Sequence, residues 1–407
     1  MDQILVPLNA NITDLPASRL TSAFHPDTLA FIQALSEKLM GADKEQYPDL
    51  VALGFWCRKS QMTRLEAEFQ DSHKNVLVRP RGTVFQIAPG NVDTLFLYSG
   101  LLSLLMGNRT VIRVTQNRSE QLTELLRMVN ALLSIDVFSI IAKRLLIFSC
   151  EHESAWLTEL SDACQLRVIW GGDESINAIR RIPLAPSAKE LSFADRSSLC
   201  LLNAEAVCQH KDIEALAADF ARDTFSFGQQ ACSSPKAIVW HGENSVIEKA
   251  KLIFWCALEN CSHQYLPEQE IADSIQRLVS IQMLASSHSM LIDNNKAEND
   301  KAQNAKTRIV RLDVENIDLN ALSLHQGQGL MLEESIEQIS VLASKLLPKV
   351  QTLTFFGYQR TELLAALDIE NIEALDRVEL LGTALDFNNI WDGYDLLHEF
   401  CRVMICG

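Results

Sequence analysis

No stretch of this 407-residue chain is both long and apolar enough to span a bilayer. The longest nearly apolar run, TLFLYSGLLSLLMG at 94–107, is too short and is broken by Ser99, Gly100 and Ser103. The opening residues, MDQILVPLNANITDLPASRL, lack the basic start, apolar core and small-residue cleavage site of a secretory signal, so a cytoplasmic protein is expected. Positive charge is also short. Lys and Arg total 36 against 52 Asp and Glu, a net charge of −16, which argues against a partner bound by neutralising nucleic-acid phosphates. An anionic cofactor stays open, because one phosphate needs only a local cradle of backbone N–H groups. No internal repeat is present, and a chain of this length with 47% hydrophobic and 22% charged residues is expected to fold as two or three globular domains.

Ten cysteines are present, but no Cys-x-x-Cys pair and no Cys/His cluster with zinc-site spacing. Without an export signal these read as reduced thiols, Cys150, Cys200, Cys256 and Cys401 among them in apolar surroundings, and no metal is expected. One thiol differs. In FSFGQQACSSPK (225–236), Cys232 has no large aliphatic residue within four positions on either side. The glycine approach and the Pro235 exit suit a loop that presents a sulfur to a substrate. A small core thiol beside a strand start is the alternative.

Along the chain, residues 27–70 carry helical periodicity with breaks near Gly41 and Pro48, giving two or three helices. GTVFQIAPGN from 82, a helix over VDTLFLYSGLLSLLM and the strand RTVIRVT make a strand–helix–strand unit, whose crossover should be right-handed. The alternation continues through a helix at 118–134, RLLIFS, SAWLTELSD, LRVIW and a helix ending near Ile179. LCLLNAEAV (199–207) reads as the strand leaving this first domain. After the thiol loop come AIVWH, helices near 244–260 and 268–286, and a polar excursion at 288–308. RIVRLDV, a helix at 335–346, VQTLTFF, a helix at 360–368, RVELLG and a helical NIWDGYDLLHEFCRVM follow. Such alternation predicts parallel sheets covered on both faces, an α/β fold. The expected division is 1–208 with 378–407, and 209–377.

Four further positions are candidates, each with an ordinary alternative. Pro89-Gly90-Asn91 ends a strand, where an Asn amide either donates to developing negative charge or simply caps the next helix. Gly171-Gly172-Asp173-Glu174-Ser175 lies between a strand and a helix, the place where open α/β sheets take a dinucleotide, or is a bare turn. Arg113 leaves the strand RTVIR, where it meets an adenosine ribose or its 2′-phosphate, or only solvent. Glu190 in SAKELSF is either a general base or a strand-edge charge.

Taken in order, these pieces resemble the acyl-CoA reductase family of bacterial luminescence, within the aldehyde dehydrogenase superfamily. The resemblance is carried by YPDLVALGFWCRKS, APGNVDTLFLYSGLLSLLMGNRTVIRV, VIWGGDESINAIRR, QQACSSPK and RVELLGTALDFNNIWDGYDLL, spread over nearly the whole chain. It implies an aldehyde-dehydrogenase-like fold of two Rossmann-like α/β domains with parallel sheets. Cys232 would be the acylated nucleophile, and Asn91 with the Cys232 N–H the oxyanion hole. Pro89, Gly90, Arg113, Gly171, Gly172, Asp173 and Ser175 would line an NADPH site. Two positions depart from the pattern: Asp93 stands where the family has proline, and Glu190 is followed by Leu-Ser-Phe rather than Leu-Gly-Gly.

The resemblance implies reduction of a fatty acyl thioester, such as an acyl-CoA, to an aldehyde. A partner enzyme that transfers the acyl group and a dimer or tetramer are also implied. Oxidation of a free aldehyde, which needs an activating base, and a non-catalytic scaffold subunit are the competing expectations.

Overall fold

The computed structural model of the protein describes residues 2–8, 10–12, 18–88, 94–266, 271–288, 290–292, 309–373 and 375–405. The chain divides into two compact units, residues 1–194 with 387–407, and residues 195–386. The expected division at 208/209 and 377/378 is displaced at both junctions, for a reason given by the second sheet below.

In the first unit, β1 (Gln3–Val6) precedes three helices, α1 (Pro26–Met40), α2 (Pro48–Trp56) and α3 (Lys59–Ser72). Pro26 at the first helical position and the His25 ring accepting from the Asp27 N–H start α1, which buries Phe31, Ile32, Leu35 and Leu39. The short β2 (Leu77–Pro80) leads to β3 (Thr83–Ile87), α4 (Leu95–Leu105) and β4 (Arg109–Val114). Then come α5 (Glu120–Leu133), α6 (Ser139–Ala142), β5 (Leu145–Ser149), α7 (Ala155–Ala163), β6 (Leu166–Trp170), α8 (Asp173–Arg180) and β7 (Lys189–Phe193).

The sheet order is β1-β5-β4-β3-β6-β7, parallel except for the antiparallel edge strand β1. Every residue of β3, β5 and β6 is buried, which is why these strands read as mainly apolar runs, interrupted by Gln86 and Arg167, rather than alternating ones. Connections run outward to β4 and β5 on one side of β3 and to β6 and β7 on the other. The carboxyl ends of β3 and β6 therefore flank a topological switch point, where open α/β sheets form their ligand crevice.

The second unit starts with β8 (Ser197–Asn203), α9 (Ala204–Gln209) and α10 (Ile213–Phe225). It continues through β9 (Pro235–His241), α11 (Asn244–Cys261), α12 (Ile271–Ser287), β10 (Met290–Ile292) and β11 (Val310–Val314). α13 (Leu319–Leu324), β12 (Leu330–Ile336), β13 (Val350–Phe356), α14 (Arg360–Ala366) and β14 (Arg377–Leu380) complete it. The sheet order is β10-β11-β12-β9-β8-β13-β14, antiparallel only between β10 and β11. β8 thus sits inside the second sheet, between β9 and β13, instead of leaving the first, and this moves the boundary to 194/195. Most of the polar 288–308 excursion lies outside the described residues.

The helix expected at 335–346 is the end of β12 followed by a 3-10 turn over Ile339–Lys345. Glu333 and Glu334 suggest a solvent-facing stretch, yet both are buried and satisfied. Trp240 and Trp255 Nε1 donate to Glu333 at 2.7 and 3.0 Å and Arg311 Nε at 2.8 Å. Lys345 Nζ lies 2.6 Å from Glu334.

Chain returns to the first unit as a hairpin, β15 (Ile390–Trp391) and β16 (Tyr394–Asp395), then α15 (Leu396–Glu399) and β17 (Cys401–Met404). This replaces the expected C-terminal helix. Asp392 and Gly393 both have positive φ, 47° and 73°, the Asp-Gly turn that closes a tight hairpin. β17 then pairs antiparallel with β2.

Candidate active site

Cys232 lies in the loop between α10 and β9, at the amino edge of the second sheet. The loop has an unusual backbone: Phe227, Gly228 and Gln229 all have positive φ, at 55°, 60° and 64°. Left-handed backbone is cheap only for glycine, so Phe227 and Gln229 each cost on the order of 1 kcal/mol and need compensation. Gln229 supplies it. Its buried amide donates to the carbonyls of Pro235 and Leu330, both at 3.0 Å, and accepts from the Gly329 N–H at 3.1 Å. One side chain thereby ties the loop to the first residues of β9 and β12.

A second loop answers the first. Gly327, Gln328 and Gly329 also have positive φ, and the Gln328 N–H donates to the Gly228 carbonyl at 3.2 Å. A Cβ on Gly327 would lie 2.9 Å from that same carbonyl oxygen, so only glycine permits this approach. Gln230 Nε2 donates to the Gln326 carbonyl at 2.6 Å. His325 anchors the second loop: it is buried, Nδ1 accepts from the Gly327 N–H at 3.1 Å and Nε2 donates to the Leu330 carbonyl at 2.8 Å. Burial, with the Lys236 charge adding to it, holds this imidazole down to about 3, so it stays neutral.

Around the thiol itself, Ser198 Oγ donates to the Cys232 carbonyl at 2.6 Å. Cys232 is half-buried, and its sulfur is in no disulfide. Lys236, four residues on, donates to the Leu322 carbonyl at 3.3 Å. Burial pulls its ammonium below the usual lysine value, and Cys232 and Asp195 partly hold it up. The hydroxyls of Ser233 and Ser234 are buried without a hydrogen-bond partner among the described residues.

The other described candidates belong to the first unit. Gly171 and Gly172 carry the chain from β6 into α8 at the switch point, beside the end of β3, where Ile87 is in register with Ile169. Gly172 is the N-cap of α8 and no side chain caps it, which leaves the first-turn N–H groups oriented for an acceptor. Asp173, in that first turn, adds a charge favourable to the helix dipole and unfavourable to a phosphate set directly upon it. Ser175 stands on the same turn.

Arg113 is in register with Ile87 on β4; its guanidinium donates to the Cys150 carbonyl at 3.3 Å, and its Nε is buried without a partner among the described residues. Arg113 and the glycine turn therefore meet at one sheet edge. An uncapped helix terminus and a cation with a spare donor fit a dinucleotide phosphate or ribose. Pro89, Gly90 and Asn91 lie outside the described residues; the strand leading to them ends at Ile87.

Glu190 does not have the surroundings of a base. It lies on β7 with both oxygens engaged: Arg167 reaches one at 2.6 and 2.9 Å, and Arg180 the other at 2.8 Å. Arg167 is only 3% exposed, so Glu190 is the counter-charge of a buried cation. Among the cysteines, Cys150, Cys200 and Cys401 are buried as expected, whereas Cys256 is exposed.

Residues 60–322, more than half of the chain, match the model of the family described as acyl-CoA reductase (LuxC). The chain belongs to this acyl-CoA reductase family. It is 27% identical over 172 residues to a long-chain acyl-protein thioester reductase of Aliivibrio fischeri, covering 42% of this chain and 34% of the relative. A long-chain acyl-protein thioester reductase 2 of Photobacterium leiognathi is 26% identical over 168 residues, 40% of this chain and 33% of the relative. The chain thus spans about a third of the length of the curated relatives it matches.

In fold, this acyl-CoA reductase family member is similar to aldehyde dehydrogenase 21 from Physcomitrella patens, with a TM-score of 0.67 at 11% identity over 97% of this chain and 87% of that one. An NAD-dependent benzaldehyde dehydrogenase from Corynebacterium glutamicum gives 0.64 at 12% identity, over 93% and 83%. The aldehyde-dehydrogenase-like α/β fold with parallel sheets is therefore as expected. Among the described residues no single helix is long and apolar enough to cross a membrane.

Sequence reasoning quoted Gln229 and Lys236 only as neighbours of the thiol and passed over His325 and the Gly327-Gln328-Gly329 turn. The Gly-Gln-Gly run was the available signal, because closely spaced glycines mark backbone that other residues avoid.

Proposed function

We propose that the chain reduces a fatty acyl thioester to the aldehyde through an acyl group carried on Cys232. The observation that supports this most is the left-handed 227–229 loop, held by Gln229 and carrying a half-buried thiol near a half-buried lysine. Strain kept in place by dedicated hydrogen bonds is expected where a reactive group must be aimed.

The Cys232 thiolate attacks the thioester carbonyl carbon, with Lys236 supplying positive charge nearby. Asn91 and the Cys232 N–H are assigned to the oxyanion that forms. As that oxyanion collapses, the carbon–sulfur bond to the departing group breaks, and the group leaves as a thiolate that takes a proton from solvent while the acyl group stays on the Cys232 sulfur. Bound NADPH would supply the hydride that the acyl carbon accepts. The resulting thiohemiacetal releases aldehyde and returns Cys232 to the thiolate.

Gly171, Gly172, Ser175 and Arg113, with Pro89 and Gly90, are assigned to hold the cofactor, and the spare Arg113 donor favours a 2′-phosphate. Asp173 is assigned to the ribose side of that site rather than to a phosphate. With Glu190 engaged by two arginines, the reading assigns no water-activating base, which suits an acyl-enzyme that must survive until it is reduced. The reaction is placed in the cytoplasm, where ten thiols remain reduced. A dimer or tetramer and an acyl-transferring partner belong to the same reading.

The test follows NADPH absorbance with acyl-CoAs of increasing length, for the native chain and Cys232→Ala. Consumption with aldehyde formation in the native chain, falling by on the order of 10⁴-fold or more in the variant, is the expected result. No NADPH binding and no turnover with any thioester would leave the scaffold reading in its place.

A further inference from the structure

At the end of α3 and the start of β17, the first unit brings together three side chains that the proposed reaction does not use: His73, His398 and Cys401. We propose that they form a binding site for one zinc-class divalent cation, with a water completing four-fold coordination. The three ligand atoms lie within 4.8 Å of one another. His73 Nε2 and His398 Nδ1 are 3.2 Å apart. Two nitrogens bound at about 2.0–2.1 Å to a tetrahedral Zn²⁺ stand about 3.3 Å from each other, so this pair needs almost no movement. The sulfur has farther to close, as Zn–S bonds are about 2.3 Å.

The surroundings orient these groups as a metal would require. His73 Nδ1 lies 3.0 Å from the Phe69 carbonyl and 2.9 Å from Ser72 Oγ, whose own proton goes to that carbonyl at 3.0 Å; both neighbours then accept, so Nδ1 carries the proton and Nε2 presents its lone pair. A ring N–H given to a backbone carbonyl is the usual support of a metal-bound histidine. The Phe69 ring stacks on the same imidazole at 4.2 Å.

His398 and Cys401 are spaced as His-x-x-Cys on α15 and β17, and the backbone between them is fixed. Asp395 caps α15 through the Leu397 N–H at 3.0 Å, and Arg81 donates to the carbonyls of Glu399 and Cys401 at 2.6 and 2.8 Å. Cys401 is buried and its thiol donates to the His398 carbonyl at 3.2 Å; His398 is exposed, which leaves the site open to solvent on that side. On binding, the thiol gives its proton to solvent and a metal–sulfur bond replaces the S–H. His398 moves its ring proton from Nδ1 to Nε2 and exchanges the N–H···N hydrogen bond for a metal–nitrogen bond. The cation would tie the terminal strand to α3, a cross-link of structure rather than of catalysis.

The chelator-treated, reduced full chain is titrated with Co²⁺ alone while its visible and near-ultraviolet spectrum is recorded. Saturation at one equivalent is expected, with a thiolate-to-cobalt charge-transfer band that Zn²⁺ displaces. The exposed His398→Ala should weaken binding by about tenfold or more without loss of fold, and Cys401→Ser should remove the charge-transfer band. At the same Zn²⁺ concentration, Tm should rise more in the native chain than in His398→Ala. Absence of a saturable band, or a band that survives in both variants, overturns the site and leaves an ordinary imidazole–imidazole hydrogen bond.

Discussion

The two units use their mainly parallel sheets in opposite ways. In the first, the candidate residues sit where strands end: Gly171 and Gly172 follow β6, and Arg113 is the penultimate residue of β4, at a switch point with an uncapped helix terminus. In the second, Cys232 sits before a strand begins, on a loop with three successive positive φ values that one buried glutamine holds in place. A cofactor phosphate is recognised by N–H groups that every parallel sheet already offers at its carboxyl edge. The proposed nucleophile needs a loop of its own, and the 227–229 backbone that carries it is strained and held by dedicated partners.

That contrast orders the expected effects of mutation. Gln229→Ala should act most strongly, because it strands two buried carbonyls and one N–H and leaves the left-handed loop unsupported. A loss of about 3 kcal/mol in unfolding free energy is expected, together with slower acylation of Cys232 in the protein that remains folded. Denaturant unfolding and single-turnover acylation measure the two separately. If Gln229→Ala unfolds normally, the clamp is not what holds the loop.

Glu190→Gln comes next and tests the other unit. It leaves the Arg167 guanidinium buried without its counter-charge, so stability should fall by about 2–3 kcal/mol, while aldehyde formation per folded molecule stays unchanged. A collapse of activity with stability intact would restore the base. Arg113→Gln should raise the KM for NADPH about tenfold, through the lost charge at the ribose, and leave acylation of Cys232 as it was.

At neutral pH the smallest effect is that of His325, and it emerges only in acid. His325 has its pKa depressed in the folded state to about 3 from 6.5, so the unfolded chain takes up the proton first as pH falls. Its contribution is fully present above pH 6.5 and declines progressively toward about pH 3. Replacing His325 by Gln should flatten the dependence of Tm on pH across that window.

How much of this was legible depends on the distance over which each feature is determined. The buried parallel strands β3, β5 and β6 and the helices beside them are local patterns, and their order along the chain was enough to indicate the α/β class. The thiol loop was legible for a similar reason, since Gly-Gln-Gln and Ser-Ser-Pro are local departures from a core sequence. β12 was missed because its two glutamates look solvated until Trp240, Trp255, Arg311 and Lys345 are folded around them. The C-terminal hairpin was misread although Asp392-Gly393 announced it, because the apolar spacing of LLHEF outweighed the turn.

Other features could not be read at all. Gln229 meets Leu330 across 101 positions, and His73 meets His398 across 325, so neither the clamp nor the His/Cys cluster leaves a mark in sequence spacing. The likeness to a family located Cys232 and the glycine turn; the geometry added what supports the one and took both oxygens of Glu190.

The central claim is the covalent step, and it is most directly tested by intact-mass measurement after mixing the chain with a long-chain acyl-CoA in the absence of NADPH. One acyl group per chain, mapped by peptide analysis to Cys232 and discharged as aldehyde when NADPH is added, is the predicted result. An unmodified chain, or an acyl group on another cysteine that NADPH does not release, would contradict the account.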